Sequence, residues 1–492
     1  MQSSGQDVEV RPFERKSRKG EASPFYDIVI LGAGPCGLGA AWAVEQQRRG
    51  GKGVSYLLVD ASPVIGGSAA SVTTPEGFVF DYGGHILYLH EEYTEFIALL
   101  DELVGRWHES KPVRGVWIDN RLIPYPVQRN IHRLPPRKFL SALKGLGLVS
   151  FARRLGVNRR HRADNLDQHL HARFGGGLTR HVLGPINQKM WAHDPSQLGA
   201  SWTGHRSGSR VQNVADASVR RILLNMITQQ DSLGWAETTR VRYPLRGGTG
   251  AIWTNLSKRL AKDAVLSGTR VVEVDGAART VLLDNGQLIS YGSLISSIPL
   301  DVFLDLLTEN PVPQLAGKLR FAKAAFIGLG LRGEPPPFLD GVHSFHMPEA
   351  DIPCWRVSFP KNLSPGNVPP GPHWSILCEI SLSLAEDFDF VEAEHQIVGQ
   401  LRRRGILPPG TKIGSRWHSE MRHGYPVPYL GRDEMLRNAQ RALQAMDIFS
   451  RGRFGGWKYE VSNQDHSFMQ GVEAVRLILD DALETTYRSD PT

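Results

Sequence analysis

Three glycines, spaced as at the start of a nucleotide-binding helix, are the first residues that could serve a chemical function. Gly32, Gly34 and Gly37 follow the apolar run Tyr26–Leu31 and precede an alanine-rich stretch, Leu38–Gln47. The pattern predicts a buried parallel strand, a tight turn and a helix. The free N–H groups of such a helix N-terminus can bind a pyrophosphate, and glycines allow the close approach.

An acidic residue ends the second strand that the pattern predicts. Val54–Val59 is apolar, and Asp60 follows it, where a carboxylate can accept hydrogen bonds from ribose hydroxyls. Asp60 lies 28 positions after Gly32, more than the usual spacing of about 20, and we assign the excess to a surface insertion at Gln46–Gly53. The unit predicts a dinucleotide site, and the alternative is a glycine turn without a ligand.

Further glycine turns follow this unit closely. Glycines so near to the first motif indicate backbone wrapped against a large cofactor. These turns contain Gly66, Gly67 and Ser68, and then Gly83, Gly84 and His85.

A segment rich in large polar and aromatic residues precedes the last predicted helix, Val472–Leu479. Residues Arg451–Gly471 read RGRFGGWKYEVSNQDHSFMQG. So many polar groups are costly to bury without a ligand, which favours a return of the chain to the cofactor. The alternative is a buried polar turn whose groups satisfy one another.

Composition limits the function classes. The 492 residues are 41% hydrophobic and 22% charged, which predicts a globular protein of more than one domain. No apolar run is long enough for a membrane span, and no secretory signal is recognisable, so we expect neither. The charge of +7 fits an anionic ligand better than nucleic acid, because no dense basic stripe with interleaved aromatics occurs.

The cysteine pattern indicates neither a disulfide framework nor a metal site. Cys36, Cys354 and Cys378 are far apart in the chain, and no zinc-ligand spacing occurs. We therefore expect no metal and a reducing, cytoplasmic setting. The sequence leaves the oligomeric state open, with a homo-oligomer among the options.

The predicted elements indicate an α/β fold with inserted domains. Strands at 269–274 and 287–296 are expected to form a second sheet, apart from the one that contains the first strand. Strands at 320–334 and 373–382 are expected in a substrate-side sheet. The predicted division is a disordered tail at 1–24, a discontinuous cofactor domain at 25–110, 236–310 and 416–492, a mainly helical domain at 111–235 and a β-sheet substrate domain at 311–415.

Blocks along the chain resemble UDP-galactopyranose mutases, especially the longer eukaryotic-type enzymes. The segment DASPVIGGSAAS with FDYGGH also resembles the FAD-binding N-terminus of amine oxidases and phytoene desaturases. The most specific block is GRFGGWKYEVSNQDHSFMQGVEAV, and the resemblance covers about residues 25 to 480. The other blocks, in order, are YGGHILYLH, IPYPVQRNI, GPINQKMWA, YPLRGGTGAIW, GPHWSILCEIS and RHGYPVPYLGRDE.

The resemblance implies an FAD-binding Rossmann-type fold and an isomerase that acts on a nucleotide-diphosphate sugar. In this family reduced FAD attacks the anomeric carbon through flavin N5 and displaces UDP, and the resulting adduct opens and recloses between pyranose and furanose forms. NADPH or NADH is the implied reductant. Such chemistry needs no Ser/His/Asp triad and no pair of catalytic carboxylates.

The resemblance also implies roles for residues at matching positions. The implied catalytic residues are His85, Arg206 and Arg356, the two arginines forming a diphosphate clamp. The implied cofactor-binding residues are Gly32, Gly34, Gly37, Asp60, Gly66, Gly67, Ser68, Gly83, Gly84, Arg453, Gln464, Asp465, His466 and Ser467. The implied substrate-binding residues are Gln128, Asn187, Trp191, Arg206, Arg356, Tyr425, Tyr459 and Asn463.

Departures from the family pattern predict an altered sugar specificity. Ser344 and His346 stand where the family commonly has Trp-x-Tyr, Leu363 stands for a tyrosine, and Thr238 lies near an expected asparagine. We therefore expect a sugar other than galactose to be preferred. The alternative function is an FAD-dependent oxidase or desaturase, which predicts an apolar tunnel and no phosphate clamp. A nucleotide-sugar binder without catalysis is a third class.

Overall fold

The computed structural model describes residues 23–87, 89–156, 163–203, 214–233 and 240–487. All but two residues of the predicted N-terminal tail lie outside these ranges. The described strands are β1 (Phe25–Leu31), β2 (Tyr56–Asp60), β3 (Ser71–Thr73), β4 (Val79–Asp81), β5 (Trp107–Ser110), β6 (Val113–Ile118), β7 (Arg121–Pro124), β8 (Val241–Pro244), β9 (Val265–Ser267), β10 (Val271–Asp275), β11 (Thr280–Leu283), β12 (Leu288–Ser296), β13 (Phe321–Arg332), β14 (Val342–His346), β15 (Arg356–Ser358), β16 (His373–Leu382), β17 (Lys412–Pro426) and β18 (Ile448–Ser450). The α-helices are α1 (Pro35–Arg49), α2 (Thr94–Leu103), α3 (Pro136–Arg154), α4 (Leu166–Leu178), α5 (Gly184–Trp191), α6 (Val219–Thr228), α7 (Gly250–Ser257), α8 (Leu300–Leu306), α9 (Pro360–Leu363), α10 (Phe390–Arg403), α11 (Arg432–Gln444), α12 (Gly452–Gly455) and α13 (Gln464–Asp480).

The first sheet is built around β1, which is the apolar run expected from the sequence. Its order is β10-β11-β12-β1-β2-β9, and β18 pairs with β12. β1 is parallel to both β2 and β12. The strand–turn–helix–strand unit around Gly32 is therefore confirmed, and Gln46 lies in the last turn of α1 rather than in an insertion.

The predicted assignment of 269–274 and 287–296 to a second sheet is wrong. β10 and β12 belong to the first sheet, and Ile28 of β1 lies in register with Ser293 of β12. The physical reason is the apolar end of β12, where Leu294 and Ile295 are completely buried, as in a central parallel strand.

Helices cover both faces of the first sheet. Ile28 and Ile30 of β1 pack with residues of α1 and α13 on one face, and Val29 and Leu31 pack with residues of α8 and α11 on the other. The alternation of side chains along a strand produces these two cores. The layers match the α/β fold class predicted from the sequence.

The second sheet is mixed and larger than the sequence indicated. Its order is β17-β13-β16-β15-β14-β6-β7, with β14 parallel to β6. The expected strands at 320–334 and 373–382 are its β13 and β16. Helices of the 111–235 region pack on one face, and α10 packs on the other.

Two predicted domain limits do not coincide with this sheet. β17 crosses the limit at 415–416, because it pairs with β13 from Lys412 to Pro426. β6 and β7 lie in the region predicted as mainly helical. The domain division as a whole stays a prediction. No α-helix within the described ranges is long and apolar enough to span a membrane.

A buried ion pair attaches the C-terminal segment to the start of α12. Arg451 and Glu484 are 1% and 0% exposed, and Arg451 Nε and Nη2 donate to the two Glu484 oxygens at 2.5 and 2.6 Å. Arg451 Nη1 also donates to Gln440 Oε1 at 2.7 Å. The segment after α13 is thus part of the core beneath the start of α12.

We predict that Arg451→Met destabilises the protein strongly, since it leaves the Glu484 carboxylate buried without its partner. The expected loss in the free energy of unfolding is about 3–5 kcal/mol. The matched control is Arg476→Met, which breaks an ion pair with Glu95 whose side chains are 41% and 29% exposed. Solvent screening limits that loss to about 0–1 kcal/mol. Urea unfolding followed by circular dichroism measures both, and equal losses would contradict the prediction.

Candidate functional site

A cavity of about 1250 Å³ opens at the carboxyl ends of the first sheet's strands and extends toward the second sheet and the helical layer. Open α/β sheets bind ligands at this edge. Most of the predicted site residues line it. They are Gly32, Gly34, Asp60, Gly67, Ser68, Gly83, Gly84, His85, Gln128, Asn187, Arg356, Tyr425, Arg453, Tyr459, Asn463, Gln464 and Ser467.

Asp60 and the glycine turns form one end of the cavity. Asp60 Oδ2 accepts a hydrogen bond from the Ala33 amide at 2.5 Å. The Ala33 carbonyl accepts one from the Gly66 amide at 2.9 Å, which brings the two glycine turns together. Gly34 is the N-cap of α1, so the free N–H groups of that helix point toward the cavity.

His85 lies at the centre of the cavity wall on the turn that follows β4. Its Nδ1 is 3.3 Å from Thr249 Oγ1 and 3.9 Å from Asp81 Oδ2. Burial lowers the pKa of His85, and the nearby carboxylates oppose this effect only in part. The imidazole is therefore neutral near pH 7.

Arg356 faces His85 from β15 and is held by one carboxylate. Its Nε and Nη2 donate to Glu379 Oε1 and Oε2, each at 2.6 Å, so the pair is bidentate. Glu379 is 1% exposed and also accepts from the Gly84 amide at 2.6 Å and from Tyr425 Oη at 3.1 Å. Burial alone would lower the pKa of Arg356, but the charge of Glu379 outweighs it and the net shift is upward.

Aromatic rings and a second arginine complete the wall around this pair. The Arg453 guanidinium lies over the Tyr425 ring, 5.3 Å from its centroid. It also donates to the Gly424 carbonyl at 2.9 Å and to Ser462 Oγ at 3.0 Å. This end of the cavity therefore has fixed positive charge and hydroxyl groups, as an anionic, hydroxyl-rich ligand requires.

His346 lines the cavity where the family pattern has a tyrosine. It is the register partner of Arg356 across β14 and β15, and its ring lies 6.5 Å from that of Tyr125. Burial lowers the pKa of His346 to about 3, and the charges of Arg356 and Arg114 act in the same direction. His346 is a neutral imidazole between two guanidinium groups.

Comparison with known proteins identifies the family. The crystal structure of a reduced UDP-galactopyranose mutase is 34% identical, covers 94% of this chain and 98% of its own, and superposes with a TM-score of 0.85. The chain belongs to the UDP-galactopyranose mutase family. The profile of the NAD(P)-binding Rossmann-like domain matches residues 30–103, which contain the glycine turns.

Two oxidases share the fold of this mutase-family chain at lower similarity. A putrescine oxidase is 15% identical, covers 94% of this chain and 100% of its own, and has a TM-score of 0.62. A cyclohexylamine oxidase from Brevibacterium oxydans is 16% identical, with coverages of 93% and 99% and a TM-score of 0.63. These likenesses concern the fold alone.

Several predicted residues of the mutase site do not line the cavity. Trp191, Asp465 and His466 are fully buried behind its wall. Trp191 Nε1 donates to Asn187 Oδ1 at 3.2 Å, and Asp465 is hydrogen-bonded to His90 Nδ1 at 2.5 Å. Through these contacts they support residues that line the cavity, such as Asn187 and His90.

Gly37 and Gly66 also lie behind the wall, within the packing of the first turns. Arg206 and Thr238 lie outside the described residues. Two of the positions that depart from the family pattern, Ser344 and His346, line the cavity. Leu363, the last residue of α9, is buried and does not line the cavity.

The sequence did not single out two carboxylates of this mutase site, Glu379 and Asp81. Asp81 accepts from Tyr243 Oη at 2.7 Å and from the Thr249 amide at 3.1 Å, and so connects the His85 turn to α7. Glu379 follows the apolar run WSILC of β16. An acid inside a buried strand is rare without a partner, and this is the signal that could have found it.

Proposed function

We propose that the chain is a flavin-dependent nucleotide-sugar mutase that interconverts pyranose and furanose forms. The observation that carries the proposal is the bidentate Arg356–Glu379 pair facing His85 in a cavity that begins at a dinucleotide turn. The 34% identity to a UDP-galactopyranose mutase over 94% of the chain supports the same reaction class.

FAD fits the described residues. A Cβ built on Gly34 would have the Gly66 carbonyl oxygen, at 3.9 Å, as its nearest neighbour, so backbone and cavity leave space for a pyrophosphate there. Gly34 and Gly67 would hold the pyrophosphate, and Asp60 the ribose. When bound in reduced form, FAD would supply the nucleophile for the anomeric carbon. NADPH or NADH would supply the electrons that reduce the flavin, a step that is not repeated with each turnover.

The chain's own residues bind and orient the sugar nucleotide. Arg356, with Arg206 as the second arginine implied by the resemblance, would bind the diphosphate, and Tyr425 and Tyr459 line the same cavity. Gln128 lines the same cavity, and we propose that it contacts the uridine.

A redox-controlled product assay tests the function. Enzyme and nucleotide sugar are incubated anaerobically, with and without prior reduction by dithionite or NADPH. We expect furanose product only after reduction, without stoichiometric use of reductant, because an oxidised flavin is not a nucleophile. Oxygen uptake by the oxidised enzyme that depends on an added amine, with no furanose product, would favour an oxidase instead.

We predict that UDP-galactopyranose is a poor substrate. The neutral His346 and the small Ser344 offer different hydrogen bonds and space from a tyrosine and a tryptophan, and lost polar partners discriminate strongly. In a panel of UDP-, GDP- and TDP-sugars, kcat/KM for UDP-galactopyranose should be at least about tenfold below the best sugar. The variant Ser344→Trp/His346→Tyr should narrow this gap. Equal efficiency of UDP-galactopyranose and the best sugar in the native enzyme would contradict the prediction.

All three cysteines are free and buried. The cytoplasmic location and the oligomeric state stay predictions.

A further inference from the structure

The side chain of Lys189 ends inside a ring of main-chain carbonyl groups. Lys189 belongs to α5, and its ammonium reaches across to the connection between β14 and β15. We call this set of acceptors the carbonyl ring. Lys189 Nζ donates to the carbonyl oxygens of Met347 at 2.8 Å, Glu349 at 3.1 Å, Ile352 at 2.8 Å and Cys354 at 2.7 Å.

The carbonyl ring belongs to the loop that joins two cavity-lining residues. β14 ends at His346 and β15 begins at Arg356, and the two residues are register partners. The loop 347–355 therefore has to bring the chain back so that both side chains face the cavity. Arg356 is in turn the register partner of Glu379 on the neighbouring strand β16.

The ammonium group suits this ring as a small cation would. It has three N–H donors and no acceptor, so a cage of carbonyl oxygens satisfies it without an acid. Rings of backbone carbonyls also coordinate potassium, whose charge and size are similar to those of ammonium. Within the described part of the chain, every hydrogen bond of the Lys189 ammonium goes to this ring.

We propose that Lys189 is a positioning residue for the diphosphate-binding arginine: its ammonium fixes the loop 347–355 and thereby the pose of Arg356 and His346. The inference rests on the proposed function only in one respect, namely that Arg356 binds a diphosphate. Lys189 itself does not line the cavity. It acts from the helical layer on the second sheet, and so links the two sides of the site.

The variants Lys189→Ala and Lys189→Met test this role as a matched pair. Both remove the ammonium, but alanine leaves room for a cation in the carbonyl ring, whereas methionine fills the space with an apolar chain. We expect the Kd for UDP to rise about tenfold or more in both variants, because small displacements of a binding group weaken it strongly. Bound FAD should not change.

Added cations separate positioning from general destabilisation. Potassium or ammonium chloride should restore UDP binding of Lys189→Ala but not of Lys189→Met, with tetramethylammonium chloride at equal ionic strength as the control. An unchanged Kd in both variants, even with a lowered thermal midpoint, would overturn the proposal. Equal recovery of both variants in every salt would overturn it too.

Hydrogen exchange provides a readout that does not depend on the proposed function. Peptides covering residues 347–358 should exchange faster in Lys189→Ala, and potassium should slow them again. If native enzyme does not bind UDP, the proposed function fails while the exchange result still tests Lys189. Unchanged exchange of these peptides would overturn the positioning role even if UDP binds.

Discussion

Gly37→Ala should disrupt the first turn of the fold and with it the retention of any dinucleotide. A Cβ at this position would overlap the Gly32 carbonyl oxygen and would lie 3.0 Å from the Gly32 carbonyl carbon and 3.3 Å from Ile30 Cγ2. Two of these atoms are backbone of the tight turn and cannot move aside as a side-chain end could. Such overpacking costs about 3 kcal/mol or more.

Gly34→Ala is the matched control, three positions earlier on the same turn. Its added Cβ would meet only the Gly66 carbonyl oxygen, at 3.9 Å, so the fold should keep its stability. The methyl group would nevertheless occupy the position proposed for the pyrophosphate. We therefore expect Gly34→Ala to fold with little bound FAD, and Gly37→Ala to lose both stability and FAD.

Thermal unfolding and the flavin absorbance of the purified proteins measure these two effects separately. A Gly37→Ala protein with native stability would show that the turn can relax, contrary to the distances. Full FAD content in Gly34→Ala would instead show that the pyrophosphate does not lie at this turn, and this would count against the cofactor assignment.

Local pattern was sufficient for the parts of the fold in which one short segment determines its own structure. The apolar run before Gly32, the tight turn and α1 follow from neighbouring residues, and the structure confirms them. The sheet membership of β10 and β12 did not follow. Strand pairing between Ile28 and Ser293 joins residues far apart in sequence, and the amphipathic pattern of a strand is the same in either sheet.

The site shows the same division between local and long-range information. The glycines of the first turn could be recognised from their spacing, and His85 and Arg356 from the resemblance to the family. The apolar strand around Glu379 marks it as an acid that needs a partner, but the identity of that partner depends on the register of β15 with β16, which places Arg356 beside it. Asp465 illustrates the converse, since its place in the motif does not reveal that it contacts His90 behind the cavity wall, and its cofactor-binding role stays a prediction.

The Arg356–Glu379 pair allows stability and ligand binding to be measured separately. The Arg356 side chain is 20% exposed and that of Glu379 is 1% exposed, so either single change leaves a largely desolvated charge. Arg356→Met or Glu379→Leu alone should lower the free energy of unfolding by about 3–5 kcal/mol. The double variant should lose clearly less than the sum, because no unpaired charge remains.

UDP binding should not follow the same pattern. Arg356 donates charge-assisted hydrogen bonds, which contribute about 1.5–3 kcal/mol each, so its loss should weaken UDP binding by about one to two orders of magnitude. The double variant should regain stability but keep the weak binding, since the Arg356 guanidinium is absent from the proposed diphosphate site. Calorimetric titration of UDP and urea unfolding of all four proteins complete the cycle. If the double variant binds UDP as tightly as the native enzyme, Arg356 serves only the Glu379 charge, and the diphosphate must lie elsewhere in the cavity.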